Sequence, residues 1–204
     1  CVSSVSSAAS DQCYHRAMRW YTSDLHAGHC NIITYCGRPF ADVEAMNVAM
    51  FDNWRAVVAP TDEVYVLGDV VLGPVWRELL YSISTLPGRK VLVPGNHDKC
   101  WHGHGSKHAK CLPDYRVAFD EILPAPVRLV IDGRDVRATH LPYVDEERER
   151  PDKYARWRPA DEGLPLLCGH VHERWATNGR MFNVGVDARE FAPVAETTIV
   201  EWLR

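Results

Sequence analysis

The chain has 204 residues, of which 46% are hydrophobic and 25% are charged, as in an ordinary globular protein with a useful core. Its formal net charge of −4 gives no basic surface for a long polyanion, so a nucleic-acid polymer is disfavoured as a partner. No apolar run approaches the roughly 18 residues of a membrane-spanning helix, so no membrane partner is expected.

The cysteines and the first residues bear on the compartment and on the domain boundaries. Seven cysteines, an odd number without a close CxxC pair, argue against a disulfide framework and against a thiolate zinc site. A reducing compartment, the cytoplasm, is therefore predicted. Residues 1–17 lack the basic and long apolar regions of a signal peptide. We interpret them as a flexible N-terminal extension, followed by a single domain over residues 18–204.

The first predicted strand, residues 19–23, runs into the sequence Asp-Leu-His at positions 24–26. Side chains alternate along an extended segment, so Asp24 and His26 point to the same side. A carboxylate and an imidazole together suit a borderline divalent metal. The alternative interpretation of this motif alone is a polar turn at the surface.

The next segments alternate between predicted helices and strands. Residues 30–40 are expected to be irregular, and Asp42 is expected to cap a helix that extends to about Ala59 with one apolar stripe. Residues 64–67 form a second buried strand that ends in Gly-Asp, which places Asp69 at the strand end. A helix opened by Pro74 follows, since proline is tolerated at the first helical position.

A third buried strand, residues 90–94, precedes the sequence Gly-Asn-His-Asp. An amide oxygen at Asn96, an imidazole at His97 and a carboxylate at Asp98 in one turn suit metal binding beside a proton donor. A polar turn is the alternative for this motif alone. The strand–helix–strand–helix–strand order indicates a right-handed parallel unit, and such sheets place their sites at the carboxyl edge.

Residues 99–116 are predicted to be a loop, and residues 102–108 add three histidines at glycine-rich spacing. This stretch is either a second metal site or, as flexible spacing favours, a polar loop over the active site that contacts substrate. Asp132-Gly133 then predicts a two-residue hairpin between residues 127–131 and 134–139. His140 follows the second of these strands, as a site residue or a structural histidine.

The last third of the chain supplies the remaining predicted site residues. Residues 145–150 are a mixed-charge run expected to be a solvated loop or helix face. Residues 154–159 are interpreted as a lid or cover. Residues 164–168 form a strand that feeds Gly-His-Val-His, in which His170 and His172 are a recognisable metal-ligand pair. Further strands are expected at 181–184, 185–187 and 197–203.

Taken together and in this order, the motifs resemble those of the calcineurin-like metallophosphoesterase superfamily, whose pattern is D-x-H, G-D, G-N-H-[DE], H and G-H-x-H. The match runs from about Met18 to Asp187, and no metal-ligand position is missing. One departure is that Asp69 is followed by valine, without the histidine or asparagine that some branches carry. The opening motif and the Arg38-Pro39-Phe40 segment resemble the compact phosphoesterases of bacteria and their phages.

The resemblance implies an α/β fold, a four-layer α/β/β/α sandwich with metals at the carboxyl ends of the strands. It implies two divalent metal ions, with Mn²⁺ as first choice and Fe or Zn²⁺ as alternatives. It also implies that Asp24, His26 and His172 hold the first metal and that Asp69 bridges both metals. The second metal would be held by Asn96, His140 and His170. His97 would protonate the leaving oxygen or stabilise its charge, and Asp98 would orient His97.

The chemistry of such a site can be argued separately. Two divalent cations about 3.5–4 Å apart acidify a water and hold phosphate oxygens for in-line attack. Nitrogen and oxygen ligands without a thiolate fit Mn²⁺, Fe or Zn²⁺ better than Ca²⁺. A compact domain without a basic groove favours a small substrate. The predicted function is therefore a phosphodiesterase for small diesters such as 2′,3′- or 3′,5′-cyclic nucleotides.

Three other functions remain as alternatives. A phosphomonoesterase, including a protein phosphatase, would use the same metal site, and the loops at 99–116 and 143–163 would decide between them. A nuclease is disfavoured by the net charge. A non-catalytic metal-binding scaffold is disfavoured because His97 and every predicted ligand are present.

Overall fold

The computed structural model describes residues 17–144 and 152–204. These residues form a mixed α/β structure with two five-stranded sheets and five α-helices. The helices are α1 (Cys30–Tyr35), α2 (Val43–Val57), α3 (Trp76–Ser84), α4 (His108–Tyr115) and α5 (Glu196–Leu203). Among the described residues, no helix combines the length and the apolar composition needed to cross a membrane.

Sheet A has the strand order β10-β1-β2-β3-β4. Its strands are β1 (Arg19–Thr22), β2 (Glu63–Val66), β3 (Arg89–Leu92), β4 (Glu121–Ile122) and β10 (Val194–Ala195). The first four are parallel, and β10 is antiparallel to β1. Thr22 pairs with Val66, and Val66 with Leu92, so β1, β2 and β3 end level with one another. The loops that follow them therefore start at one edge.

Sheet B has the strand order β5-β6-β7-β9-β8. Its strands are β5 (Val127–Ile131), β6 (Arg134–Ala138), β7 (Leu166–Cys168), β8 (Thr177–Asn178) and β9 (Met181–Asn183). The three central strands are parallel, and the two edge strands are antiparallel to their neighbours. An isolated parallel bridge between Ser23 and Gly185 joins the carboxyl end of β1 to the segment after β9. The carboxyl edges of the two sheets therefore meet.

The two faces of sheet A pack against different parts of the molecule. Val64 and Val66 of β2 pack with buried side chains of α2, α3 and α4, whereas Leu67, directly after β2, packs with sheet B and α5. One hydrophobic cluster thus unites both sheets and α5, and it includes Tyr21 of β1, Leu167 of β7 and Ile199 of α5. The predicted α/β class and the two sheets are confirmed. A helical layer on the outer face of sheet B stays a prediction.

Several local predictions are confirmed. The Asp42 side chain caps α2 by accepting a hydrogen bond of 2.8 Å from the Ala45 backbone N–H. The predicted hairpin joins β5 to β6, and both turn residues have positive φ, 48° at Asp132 and 73° at Gly133. A two-residue turn matched to the twist of the strands requires positive φ at both positions.

Other local predictions were wrong. The segment 30–40 contains α1, and the expected loop at 99–116 contains a 3-10 helix (His102–Lys107) and α4. Residues 186–188 form a 3-10 helix rather than a strand. The expected strand at 197–203 is α5, in which Ile199 and Leu203, four residues apart, are buried on one face. Burial at helical spacing overrides the strand preference of its Thr-Thr-Ile-Val run.

Two predictions lie outside the described residues. These are the mixed-charge run at 145–150 and nearly all of the N-terminal extension at 1–17. The single domain over residues 18–204 also stays a prediction. All five cysteines in the described ranges are free.

Candidate metal centre

The predicted ligands all lie in loops that leave the carboxyl ends of strands. The loops after β1, β2 and β3 carry four of them, and the loops after β6 and β7 carry three. The structure brings them together from five separate loops: Asp24, His26, Asp69, Asn96, His140, His170 and His172.

The first group comprises Asp24, His26 and His172, whose ligand atoms lie within 4.8 Å of one another. Both Asp24 carboxylate oxygens accept the His170 backbone N–H, at 3.1 and 2.9 Å, which ties the loop after β7 to the loop after β1. His172 Nδ1 lies 2.9 Å from Asp187 Oδ2. An ionised carboxylate can only accept, so this contact puts a proton on Nδ1 and leaves Nε2 as the available ligand atom.

The second group comprises Asp69, His140 and His170, again within 4.8 Å of one another. Asn96 belongs beside it, because its Oδ1 lies 3.1 Å from His140 Nε2. His140 Nδ1 lies 2.8 Å from the Leu67 carbonyl oxygen and therefore carries a proton. Its Nε2 is left to face the site.

Asp69 lies between the two groups. Its Oδ2 is 3.6 Å from His26 Nε2 in the first group and 3.2 Å from His140 Nε2 in the second. Its Oδ1 accepts a hydrogen bond of 2.8 Å from the His97 backbone N–H. The carboxylate thus occupies the position expected of a bridging ligand.

The backbone at the ligands is unusual. Eight non-glycine residues of the described chain have positive φ, and five of them are predicted ligands. They are Asp24 (58°), His26 (47°), Asp69 (55°), His170 (72°) and His172 (51°). Each such residue costs about 1–3 kcal/mol, and strain of this kind concentrates at functional sites. The concentration of positive φ values at the predicted ligands is therefore independent support for a functional centre here.

Glycines in the motifs allow the close approach of the loops. A Cβ on Gly169 would lie 2.1 Å from Ser23 Oγ and 2.4 Å from Asp24 Oδ2. A Cβ on Gly95 would lie 2.3 Å from Asp69 Oδ1. Any larger residue at these two positions would displace a carboxylate of the centre.

Asp98 is buried and accepts several hydrogen bonds from backbone groups. Its carboxylate accepts the backbone N–H groups of Asp69, Val70 and Gly95 at 2.8–3.0 Å, and the Tyr115 hydroxyl at 3.3 Å. These contacts tie the loop after β2 to the loop after β3. None of these hydrogen bonds is with the His97 imidazole, and the role of Asp98 in orienting His97 stays a prediction.

Arg38 holds residues of the first group in place. From the sequence, it was noted only within a segment that resembles the compact phosphoesterases. The buried Arg38 guanidinium makes two hydrogen bonds to Asp187, from Nε at 2.7 Å and from Nη2 at 2.8 Å. It also donates to the backbone carbonyls of Asp24 (2.7 Å) and Leu25 (3.0 Å). Through Asp187 it fixes His172, so one side chain positions ligands from two loops. We call Arg38 and Asp187 the Arg38 clamp.

Sequence reasoning missed Asp187 as a supporting residue. It follows β9 and Gly185, so the strand-end rule that found the ligands could have flagged it. Cys36, Asp187 and His172 form a further group of donors within 4.8 Å. Both Asp187 oxygens already accept hydrogen bonds from Arg38, which fits a supporting role better than a ligand role.

The electrostatics of the buried groups are coupled. Burial alone would raise the pKa of Asp69, but His140 and His26 hold it well below its usual range. Burial would lower the pKa of His140, but Asp69 outweighs it and raises the pKa to about 9. Burial lowers the pKa of His26 well below its usual value, so its ring is neutral at pH 7. A neutral imidazole is the form that binds a cation, so His26 is ready to do so, whereas His140 must first release a proton.

His26 provides the test of whether these residues fit a metal. Its side chain is buried, and neither ring nitrogen has a hydrogen-bond partner within the described residues. A buried polar atom without a partner costs about 1–3 kcal/mol. A divalent cation held by imidazole nitrogens, carboxylates and an amide oxygen would satisfy one of the two ring nitrogens. The donor set therefore fits divalent metal binding.

His97 is exposed and lies between two cavities at the edge of the centre. One cavity, of about 360 Å³, is lined by His26, His172 and residues of α1. The other, of about 500 Å³, is lined by Asn96 and residues of the 99–111 segment. The ring centroid of His97 is 5.4 Å from that of His26. The His97 side chain can therefore meet a group bound at the ligands from either side.

The predicted cover over residues 154–159 touches the second group. The Tyr154 hydroxyl accepts a hydrogen bond of 3.1 Å from Asn96 Nδ2, and its ring centroid is 5.5 Å from that of His170. Trp157 packs against Trp101, with centroids 5.3 Å apart. In the described chain the histidines at 102, 104 and 108 join no metal-ligand group, and contact of that stretch with substrate stays a prediction.

Comparisons with known proteins place the chain. No family model matches it. A crystal structure of a protein of unknown function, AQ665 from Aquifex aeolicus, aligns at TM-score 0.69 with 28% identity, covering 92% of this chain and all of that one. An archaeal phosphodiesterase aligns at TM-score 0.40 and 16% identity over 82% of this chain and 81% of that one. That score is too low to establish a shared fold or activity.

A sequence relative gives the family. The Gene 66 protein of Mycobacterium phage L5 is 34% identical over 182 residues, which cover 83% of this chain and 86% of the relative. The alignment therefore spans more than four-fifths of each sequence. The chain therefore belongs to the family of the mycobacteriophage Gene 66 protein.

Proposed function

We propose that this protein is a divalent-metal-dependent phosphoesterase, and specifically a phosphodiesterase for small diesters such as cyclic nucleotides. The observation that carries the proposal is the pair of ligand groups that meet at Asp69, 3.2 Å from His140 and 3.6 Å from His26. Paired divalent sites that share a carboxylate are suited to displacement at phosphorus.

Seven residues would hold the two cations. The first cation would be held by Asp24, His26 and His172, the second by Asn96, His140 and His170, with Asp69 shared. Two divalent cations supply Lewis-acid activation of a phosphate ester and of water. In hydrolysis, water supplies an OH group to phosphorus, one P–O ester bond breaks, and a proton reaches the leaving oxygen.

His97 is the proposed source of that proton. Its side chain is exposed beside the ligands, while its backbone N–H is held by Asp69 Oδ1 at 2.8 Å. The ring can therefore reach a leaving group while its attachment point stays fixed. Proton donation by a positioned histidine contributes about 10²–10⁴-fold.

The cavities on both sides of His97 support a diester over a monoester. A phosphodiester carries a substituent on either side of phosphorus, and each cavity can take one of them. A monoester would leave one of the two cavities empty.

The test is hydrolysis of bis(p-nitrophenyl) phosphate and p-nitrophenyl phosphate side by side, with Mn²⁺ and with chelator. The expected result is chelator-sensitive turnover with the diester preferred. Preference for the monoester would change the assignment to phosphatase on the same residues. No turnover of either ester, with two metal ions bound per chain, would contradict the proposal.

A further inference from the structure

The cavity of about 500 Å³ beside His97 has a distinct chemical character. It is lined by Asn96, His97, Lys99, His104, Lys107 and Cys111. Asn96 and His97 belong to the candidate centre, so the cavity opens directly onto the place where a scissile phosphate would lie. We call it the cationic pocket.

The charge of the cationic pocket is opposite to that of the whole chain. Of the residues that the structure describes, two lysines and no acidic residue line it, although the chain has a net charge of −4. Neither Lys99 nor Lys107 forms an ion pair with any residue in the described ranges. Unpaired cations gathered in a cavity are suited to bind an anion.

The wall that carries these lysines is ordered by packing. Trp101 is buried, and its ring centroid is 5.4 Å from His104, 5.3 Å from Trp157 and 6.0 Å from Tyr154. A Cβ on Gly103 would lie 2.2 Å from the Trp101 ring, so only glycine lets the chain fold over it. Lys99 itself lies over Trp76, with Nζ 5.4 Å from the ring centroid. The pocket is therefore attached to the core.

We propose that the cationic pocket binds a second phosphate group of the substrate. The substrate class is then a small phosphodiester that carries an additional phosphate monoester on one of its two substituents. This inference rests on the proposed function, because it needs the scissile phosphate at His97. During hydrolysis the second phosphate keeps all its bonds, and Lys99 and Lys107 only hold it.

The test compares two substrates that differ only in the second phosphate, adenosine 2′,3′-cyclic phosphate with and without a 5′-phosphate. The wild-type protein is expected to show a kcat/KM about tenfold higher for the 5′-phosphorylated substrate. In the double variant Lys99→Gln, Lys107→Gln the ratio of the two kcat/KM values is expected to approach one. Raising the salt concentration should lower the wild-type ratio, since exposed charges are screened.

The matched control is Lys110→Gln. Lys110 is an exposed lysine of α4 that does not line the cationic pocket, so this variant should keep the wild-type ratio. A fall of the ratio in Lys110→Gln equal to that in the double variant would show a general charge effect and overturn the inference.

Failure of the inference and failure of the proposed function give different results. A wild-type ratio near one, with chelator-sensitive hydrolysis of bis(p-nitrophenyl) phosphate intact, overturns the inference alone. A high ratio that survives in the double variant also overturns it, because the second phosphate then binds elsewhere. Absence of hydrolysis of every ester overturns both.

Discussion

The ligands and the residues around the opening of the site are built in different ways. Six of the seven predicted ligands are buried, from Asp24 at 0% to His170 at 9% exposure, and hydrogen bonds between neighbouring loops fix them. His97, Lys99 and Lys107 are exposed and lie outside the sheets, the first two in the loop after β3 and Lys107 at the end of the 3-10 helix. We call the seven predicted ligands the ligand cluster, and we call His97, Lys99 and Lys107 the rim. From this difference we expect substitutions in the ligand cluster to affect metal binding, and substitutions in the rim to affect turnover and substrate preference.

The largest effect is expected for Asp69→Asn in the ligand cluster. The amide has similar size but lacks the charge that two adjacent cations require, so both metal ions should be lost and hydrolysis should fall to background. Metal content by atomic emission after gel filtration is the measurement. Asp52→Asn, an exposed carboxylate paired with Arg55, is the control and should bind metal normally. Two metal ions retained in Asp69→Asn would argue against a bridging role.

His97→Ala in the rim should lower kcat by about 10²–10⁴-fold while metal content stays at the wild-type level. Because a proton donor matters most for a poor leaving group, the loss should be greater for adenosine 2′,3′-cyclic phosphate, which expels a ribose alkoxide, than for bis(p-nitrophenyl) phosphate, which expels p-nitrophenoxide. Steady-state kinetics with both esters test this. Equal losses for the two leaving groups would contradict proton donation and leave only charge stabilisation.

Arg38→Lys should have an intermediate effect on metal affinity. Arg38 is not a predicted ligand but holds residues of the ligand cluster in place. Lysine keeps the charge but cannot make the two-pronged contact with Asp187 and also reach the Asp24 carbonyl. Loss of such support typically weakens metal affinity about 10–100-fold. The measurement is metal affinity by competition with a fluorescent chelator, with kcat at saturating metal near that of the wild type.

The control for the Arg38 clamp is Arg55→Lys. Arg55 forms an exposed ion pair with Asp52, with side-chain exposures of 47% and 65%, and such pairs contribute little. Wild-type metal affinity in Arg38→Lys would show that the clamp only supports the fold.

Tyr154→Phe should have the smallest effect. It removes one neutral hydrogen bond to Asn96, which is worth about 0.5–1.5 kcal/mol, so affinity for the second cation should fall about two- to tenfold. Metal titration of activity is the measurement, and Tyr81→Phe, at a tyrosine 67% exposed on α3, is the control. A loss as large as that of Asp69→Asn would mean that Tyr154 belongs to the ligand cluster.

Much of the ligand cluster followed from the sequence because the relevant information is local. Each predicted ligand comes directly after an apolar run, and the carboxyl ends of parallel strands meet at one edge. The Asp42 cap and the Asp132-Gly133 hairpin were predictable for the same reason, since capping and turn chemistry involve residues two or three positions apart. The order of the motifs supplied the assignment of each ligand to a metal, which stays a prediction.

Tertiary structure decided what depends on residues far apart in the chain. Arg38 and Asp187 are 149 positions apart, and Asp98 binds backbone groups 28 and 29 positions away, so no local pattern reveals either contact. The segment 197–203 has strand-forming residues, but the buried positions offered to Ile199 and Leu203 make it a helix. The sequence by itself therefore indicated which residues are candidate metal ligands. Packing between distant segments decided which residues hold them in place and which cavities they face, because those contacts exist only once the two sheets meet.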